Sequence, residues 1–375
     1  MPVSNTEPYP LLGRVKQPSD LKAFTLEELE ALAAEVRRRI IETVSVNGGH
    51  LASPLGVVEL TLALWYVFDA DQDLVVWDVG HQSYAHKLLT GRHEAFDTLR
   101  RKGGLSGYPR RSESRYDAFG TGHSSTSISA ALGMSVARAH SEAPGHVIAV
   151  IGDGSMTGGM AFEALNHAGQ LKSNLIVVLN DNEMSISRNV GALAEYFTRL
   201  ITARPYKRAR EDVSSFVKRV LGPRFSETAQ RLEKSVKGFI TAGGLFQELG
   251  FNYVGPVDGH DLPALVGLFS NIKNMRGPIL FHCATQKGRG YTDAENDPTK
   301  YHGVKPADLR QVDVEGEARP PERNGGAAAA HSFTEVFGAA MLEEAERDER
   351  VAAITAAMPS GTGLQHFQER FPERF

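Results

Sequence analysis

Two polar clusters, each directly behind an apolar run, carry the most specific chemistry in this sequence. Gly152-Asp153-Gly154-Ser155 follows Val147-Ile148-Ala149-Val150-Ile151, and Asn180-Asp181-Asn182 follows Leu175-Ile176-Val177-Val178-Leu179. With a helical stretch over residues 160–171 between them, the two runs read as strand, helix, strand, the right-handed crossover of a parallel sheet. Both runs are continuously apolar, which predicts a sheet covered on both faces. In such sheets ligands collect at the carboxyl ends of the strands. Asp153 and Asn182, expected at an exposed strand end, are hard oxygen donors of the kind magnesium takes while still reaching for phosphate oxygens. Gly154 lets the backbone come close, and the helix behind it aims N-terminal amides at the same point. The combination predicts a diphosphate bound through a metal. No Gly-x-x-x-x-Gly-Lys-Ser/Thr occurs, nor a Gly-x-Gly-x-x-Gly after a strand, which disfavours a nucleoside triphosphate or a dinucleotide.

Four histidines beside glycines form the second signal. His50 follows Gly48-Gly49, His81 follows Gly80, His123 follows Gly122, and His302 precedes Gly303. Placed at element ends near a diphosphate site, they suit proton transfer and contacts to phosphate or carboxylate near neutral pH.

The elements that have to position these groups read as follows. Apolar residues at helical spacing predict a first helix over residues 25–46, with Thr25 as cap and Glu28 three residues on. A second helix is expected from Ser53-Pro54, serine as N-cap and proline in the first turn, with Val57, Leu60, Thr61, Leu64 and Phe68 on one face. A strand is expected over residues 74–79, a helix over 127–140, and further strands near 251–255 and 278–285. The fold class is therefore α/β: a doubly wound parallel sheet with helices on both faces. Residues 1–314 form the diphosphate-binding domain, with a basic helical insertion at about 190–240, and residues 315–330 have linker composition. Residues 331–375 begin a second α/β domain, with a helix over 332–347, a strand near 351–357 and a helical stretch up to Phe375. Those last residues are too few for a core of their own.

Several segments carry a family resemblance. They are Gly48-Gly49-His50-Leu51-Ala52-Ser53, Trp77-Asp78-Val79-Gly80-His81-Gln82, Gly122-His123-Ser124-Ser125-Thr126-Ser127, Gly152-Asp153-Gly154-Ser155-Met156-Thr157, Asn180-Asp181-Asn182-Glu183-Met184-Ser185, Tyr253-Val254-Gly255-Pro256-Val257-Asp258-Gly259-His260 and Lys287-Gly288-Arg289-Gly290-Tyr291. In this order they resemble the 1-deoxy-D-xylulose 5-phosphate synthase family of thiamine-diphosphate-dependent, transketolase-like enzymes. The likeness runs from Leu11 to the C-terminus, and its second and third segments separate it from ordinary transketolases. It implies that Asp153, Asn182 and the main-chain carbonyl of Met184 hold Mg2+. It implies that Ser53, His81, Gly122, His123, Ser124, Gly154, Ser155, Asn182, Lys287 and Tyr291 contact thiamine diphosphate, while His50, His81 and His302 line the reaction chamber as catalytic residues. The reaction implied is the decarboxylative condensation of pyruvate with glyceraldehyde 3-phosphate, which feeds isoprenoid, thiamine and pyridoxal synthesis, in a homodimer. Family members continue with a pyrimidine-binding domain that bears the glutamate activating the cofactor. The sequence stops at Phe375, before the segment where that glutamate is expected, so the chain reads as a portion with no activity alone. Sugar transketolase and a non-catalytic cofactor-binding fragment are the alternatives.

Composition bounds these readings. The 375 residues carry 41 basic and 45 acidic side chains, a formal net charge of −4, which gives no chain-wide attraction for nucleic acid or anionic membrane. Ten basic against four acidic residues over 204–237, on poorly apolar helical sequence, read as a solvated insertion. No apolar stretch is long enough for a membrane span, the first twenty residues lack a signal core, and the single cysteine, Cys283, cannot form an internal disulfide. A cytoplasmic location is the expectation that follows.

Overall fold

The computed structural model describes residues 8–182, 192, 196, 243–306, 311–312, 318–319, 331–356 and 358–375. The expected insertion at 204–237 and the metal ligand Met184 lie outside the described residues. Five parallel strands form the central sheet: β2 (Leu74–Trp77), β3 (Val147–Gly152), β4 (Leu175–Asp181), β5 (Asn252–Asp258) and β6 (Ile279–Ala284), in the order β2-β3-β4-β6-β5. A two-residue strand β1 (Gly49–His50) pairs antiparallel with β7 (Gly303–Val304) apart from this sheet.

The alternation of side chains along each strand divides the core in two. Val75, Trp77, Ile148, Val150, Ile176, Val178 and Phe281 face a cluster built with α1 (Leu26–Asn47), α2 (Val58–Val67) and α5 (Leu262–Ile272). Val76, Val147, Ala149, Ile151, Val177, Leu179 and Leu280 face the opposite cluster, closed by α3 (Ser127–Ser141) and α4 (Gly159–Leu171). Neither strand face meets water, which is why these runs are apolar at every position. The sheet is doubly wound, as the sequence predicts.

Helix α1 starts where the sequence places it. The Thr25 hydroxyl accepts from the Glu28 amide at 3.1 Å, and the Glu28 carboxylate accepts from the Thr25 amide at 2.9 Å. The second helix does not start at Ser53-Pro54. Residues Ala52–Leu55 make one separate turn, and α2 begins at Val58. The amides of Leu55 and Gly56, which a Ser53 cap would serve, donate instead to the carbonyls of Leu51 and Ala52. The Ser53 hydroxyl is therefore left for the site.

In the C-terminal segment α6 (Phe333–Arg347) forms where a helix is expected, capped by Ser332, and α7 (Gln365–Arg370) follows. The strand expected near 351–357 is not formed over its described residues. A strand needs a ladder partner, and here the Ala353 amide donates instead to the carbonyl of Arg374, at the end of a short 3-10 helix, at 3.0 Å. Ala345, Ala353, Leu364 and Phe367 make a small cluster of their own.

One close approach fixes how α4 lies against the turn at residues 249–250. A Cβ at Gly169 would stand 1.7 Å from the Leu249 carbonyl oxygen, a backbone atom that cannot swing aside. Gly169→Ala should therefore lower the denaturant midpoint, through an overpacking strain that costs about 1 to 3 kcal/mol of unfolding free energy. Alanine's own helical advantage over glycine, about 1 kcal/mol, acts in the opposite sense. An unchanged or raised midpoint would show that the 249–250 turn gives way.

Candidate functional site

The register of β3 on β4 sets Gly152 beside Asn180, so that Asp153 and Asp181 emerge side by side at the carboxyl ends of adjacent strands. Both are 1% exposed. Asp153 thus sits inside the protein rather than at an exposed strand end. Its carboxyl is pushed above the usual range by burial and by the Asp181 carboxylate, while Lys287 pulls it down. The Lys287 ammonium is in turn held below its ordinary value by burial, against the attraction of Asp153. Asp181 accepts from His282 Nε2 at 2.9 Å, and the Tyr253 hydroxyl is 2.7 Å from His282 Nδ1. Asn182, one residue beyond, is half-buried. Among the described residues no three His, Cys, Asp or Glu side chains could hold a metal together. A cation between Asp153 and Asn182 would take its remaining oxygens from elsewhere.

Three imidazoles gather together, two of them within electrostatic reach of Lys287. Pairing of β1 with β7 sets His50 opposite Gly303 and brings His302 alongside. The turn after β2 brings in His81 through two left-handed residues, Val79 (φ 56°) and Gly80 (φ 90°). A β-branched residue in that region carries strain of order 1 to 3 kcal/mol. At Gly80 a Cβ would meet Pro109 Cδ at 2.4 Å and Thr121 Cγ2 at 2.8 Å, so only glycine lets the turn lie against the 106–121 loop. Ring centroids are 5.4 Å apart for His50 and His81, 5.5 Å for His50 and His302, and 5.1 Å for His81 and His302. Burial, helped by Arg100, brings His50 down to about 4. Burial, with Lys287 and His50, brings His302 down to about 3. His81 is lowered well below its ordinary value, by burial first and then by the positive charge that His302, His50 and Lys287 would bring. All three rings are neutral at pH 7. The Nδ1 atoms of His50 and His81 are buried and find no hydrogen-bond partner among the described residues. Ser53 Oγ lies 3.4 Å from His302 Nδ1.

The remaining expected residues lie on two loops. Gly122 and His123 line an open cleft of ≈ 630 Å³ with Tyr108, Arg110 and Thr126, and the His123 ring is exposed, its Nδ1 3.0 Å from the Ser124 carbonyl. Ser125 donates its hydroxyl to the Ser155 carbonyl at 2.8 Å, joining this loop to the turn that holds Gly154 and Ser155. Lys287 is buried on the loop after β6, and Tyr291 closes that loop with its ring edge-on to Tyr301 at 5.8 Å.

Four residues that position the site received no role from the sequence. The Asp78 carboxylate accepts from the amides of Ser125 and Ser127 at 2.8 and 3.0 Å, fixing the start of α3. Asp181 doubles the buried charge. Tyr108 meets the His50 ring at 5.7 Å, and His260 bonds to the loop that carries Lys287. Asp78, Asp181 and His260 all stand inside the quoted segments. Their position was the available signal, but their partners are distant in sequence.

Comparison with known proteins follows the same lines. The family model described as 1-deoxy-D-xylulose-5-phosphate synthase matches residues 12–285. A 1-deoxy-D-xylulose-5-phosphate synthase of Desulforudis audaxviator is 55% identical over 367 residues, which are 97% of this chain and 56% of that protein. The corresponding protein of Thioalkalivibrio sulfidiphilus is 54% identical over 375 residues, 100% of this chain and 57% of its own length. The chain thus spans little more than half the length of these curated relatives. Among solved structures, a transketolase of Campylobacter jejuni superposes with a TM-score of 0.55 at 18% identity, covering 92% of this chain and 48% of the other. A Leishmania mexicana transketolase gives 0.53 at 17%, with the same coverage. These two likenesses show the fold.

The depressed histidines couple stability to pH. Unfolded, each imidazole takes up a proton near its ordinary value of about 6.5. Folded, His50 does so only near 4 and His302 near 3. The unfolded chain therefore binds more protons below pH 6.5, and stability falls as pH drops from there towards 4. His302→Gln should reduce that slope by about one proton's worth, about 1.4 kcal/mol per pH unit, in urea midpoints measured between pH 6 and 4. An unaltered slope would show that the ring is protonated in the folded protein.

Proposed function

The chain belongs to the 1-deoxy-D-xylulose-5-phosphate synthase family, and from that membership we propose that it is the diphosphate-binding portion of an enzyme condensing pyruvate with glyceraldehyde 3-phosphate, with loss of carbon dioxide. The observation that carries this reading is the meeting of three neutral, half-buried histidines with a buried carboxylate pair and Lys287 at the carboxyl ends of one parallel sheet. The residues fit thiamine diphosphate and Mg2+. Two carboxylates buried together call for positive charge, and the orphaned Nδ1 atoms of His50 and His81 call for a polar ligand.

When bound, the cofactor supplies the nucleophilic carbon and the electron sink for decarboxylation and carbon–carbon bond formation. The chain's own groups do the rest. Asp153 and Asn182, with the Met184 carbonyl, would hold the metal, and Gly122, His123, Ser124, Gly154, Ser155, Lys287 and Tyr291 would seat the diphosphate and ring, with Ser53 beside them. His50, His81 and His302, being neutral, each offer one N–H donor and one bare nitrogen, so they can hand over or accept a proton at the reacting oxygens. The Lys287 ammonium, acting electrostatically on Asp153, His81 and His302, would face an anionic substrate or phosphate.

The proposal extends to a cytoplasmic homodimer that serves isoprenoid and thiamine synthesis. Among the described residues no helix is long and apolar enough to cross a membrane. Phe333, Val336, Phe337 and Ile354 expose apolar surface of the kind that association covers. In domain terms residues 1–314 hold the diphosphate site, 315–330 link, and 331–375 open the next domain, which accords with the separate cluster around Phe367.

Asp153→Asn keeps the packing and removes one buried charge. Calorimetric titration with thiamine diphosphate in Mg2+ should show binding weakened at least about a hundredfold, equivalent to about 2.8 kcal/mol, with thermal stability equal to or above that of the parent. Undiminished affinity would remove Asp153 from the metal site.

A further inference from the structure

A line of three side chains runs beneath the loop that carries Lys287, and each end of the line touches the loop. Glu59 on α2 is buried, yet its carboxyl is held below the usual carboxylate range: burial would raise it, and hydrogen bonds and charge from His260 and Arg37 outweigh burial. Arg37 reaches Glu59 from α1. From the other side His260, just past the end of β5, places Nδ1 3.0 Å from the Glu59 carboxylate. Its other nitrogen, Nε2, accepts the backbone N–H of Gln286 at 2.9 Å. An acceptor at Nε2 carries no proton, so the ring proton sits on Nδ1 and is donated to Glu59. At the far end of the loop, a Cβ on Gly290 would meet Arg37 Cδ at 2.9 Å.

The loop itself is pinned through several of its backbone amides. The Thr285 amide donates to the Asp181 carbonyl at 2.8 Å, the Gly288 amide to the Ala52 carbonyl at 2.8 Å, and the Gly290 amide to the Glu295 carboxylate at 2.9 Å. Gln286 is the one position held by a distant histidine side chain, and Lys287 is its neighbour. The Gln286 side chain is exposed whereas Lys287 is 8% exposed, so the peptide between them is where the chain turns from solvent into the site. A rotation of that peptide would carry the ammonium away from Asp153, His81 and His302 together.

We infer that His260 is a positioning residue which, as the Nδ1–H tautomer set by Glu59, fixes the Gln286 amide and through it the placement of Lys287 in the diphosphate site. The cofactor-binding half of this inference rests on the function proposed above, and the loop-fixing half stands without it.

Two isosteric substitutions separate the ring's nitrogens. His260→Gln puts an amide oxygen near Nε2 and keeps an acceptor for Gln286, while His260→Asn keeps the Nδ1-side donor to Glu59 and loses that acceptor. Amide hydrogen exchange on the protein without ligand should show the Gln286 amide protected at least tenfold over an unstructured peptide. Protection should survive His260→Gln within about threefold and fall about tenfold in His260→Asn. Titration of thiamine diphosphate with Mg2+ should show the same order, near-parental affinity for His260→Gln and about tenfold weaker binding for His260→Asn. The reverse order, or equal losses in the two variants, would mean that His260 serves only to satisfy Glu59 and would overturn the inference. So would an unprotected Gln286 amide in the parent, a measurement that needs no variant to fold. Absence of thiamine diphosphate binding by every form, with the exchange pattern as expected, would count against the cofactor assignment and leave the loop-fixing role standing.

Discussion

The rest of the site answers to one unfavourable arrangement, the burial of Asp153 and Asp181 side by side where β3 and β4 end. The parallel register leaves no choice about it, since Gly152 lies beside Asn180 and the chain then carries both carboxylates out of the sheet at one height. Isolated buried charges cost several kcal/mol each unless paired. Around this pair the protein sets Lys287, the His282 N–H and the half-buried Asn182. In the function proposed above, a divalent cation would complete this set, offsetting carboxylate charge while leaving room for phosphate oxygens.

Because the carboxylates are fixed by the sheet, selectivity in the site has to come from what the loops bring to them. The histidines arrive on three separate segments, from β1, from the turn after β2 and from the approach to β7, and nothing local to any one of them implies the other two. Their neutrality is a collective property. Each ring is half-buried, and protonation would be opposed by Arg100 at His50 and by the Lys287 ammonium and a neighbouring ring at His81 and His302. Lys287 therefore does two things at once: it offsets carboxylate charge on one side and keeps His81 and His302 unprotonated on the other. Its exact placement matters more than that of a surface lysine, and the loop bearing it is bonded through the amides of Thr285, Gln286, Gly288 and Gly290.

Legibility in the sequence follows the range of the interactions. The sheet, its two covered faces and the α1 capping box depend on neighbours within one or two elements, and the apolar runs and the Thr25-to-Glu28 spacing displayed them. The start of α2 did not follow from Ser53-Pro54, because the local capping rule was overridden by the Ala52–Leu55 turn, whose amides bond to carbonyls a single turn behind. A strand over 351–357 failed for the opposite reason, an apolar stretch without a ladder partner. At the site, the residue types were legible and so was their grouping by family resemblance. The buried pairing of Asp153 with Asp181 was not, since it requires the strand register, and the roles of Asp78, Tyr108 and His260 require contacts across dozens of residues.

The two loops that frame the site are each tied to a buried ionic network. Beneath the 106–121 loop, Lys87 and Arg92 bond to Glu113, and Arg92 and His86 bond to Asp117, with the Ser106 amide on Glu113 at 2.8 Å and the Arg110 amide on Asp117 at 2.7 Å. Beneath the 285–291 loop runs the line of Arg37, Glu59 and His260. Hydrophobic replacements of similar volume would often stabilise a fold as well as such networks do. What apolar side chains could not do is accept from specific backbone amides in irregular chain. Both loops have backbone N–H groups with no helix or strand to receive them, and a carboxylate or imidazole anchored from behind by a cation is a receiver with a fixed direction. The charges are thus spent on geometry: they hold Tyr108, His123 and Lys287 at set distances from a sheet that already fixes the carboxylates, so that a ligand entering the site meets groups that need little rearrangement to bind it.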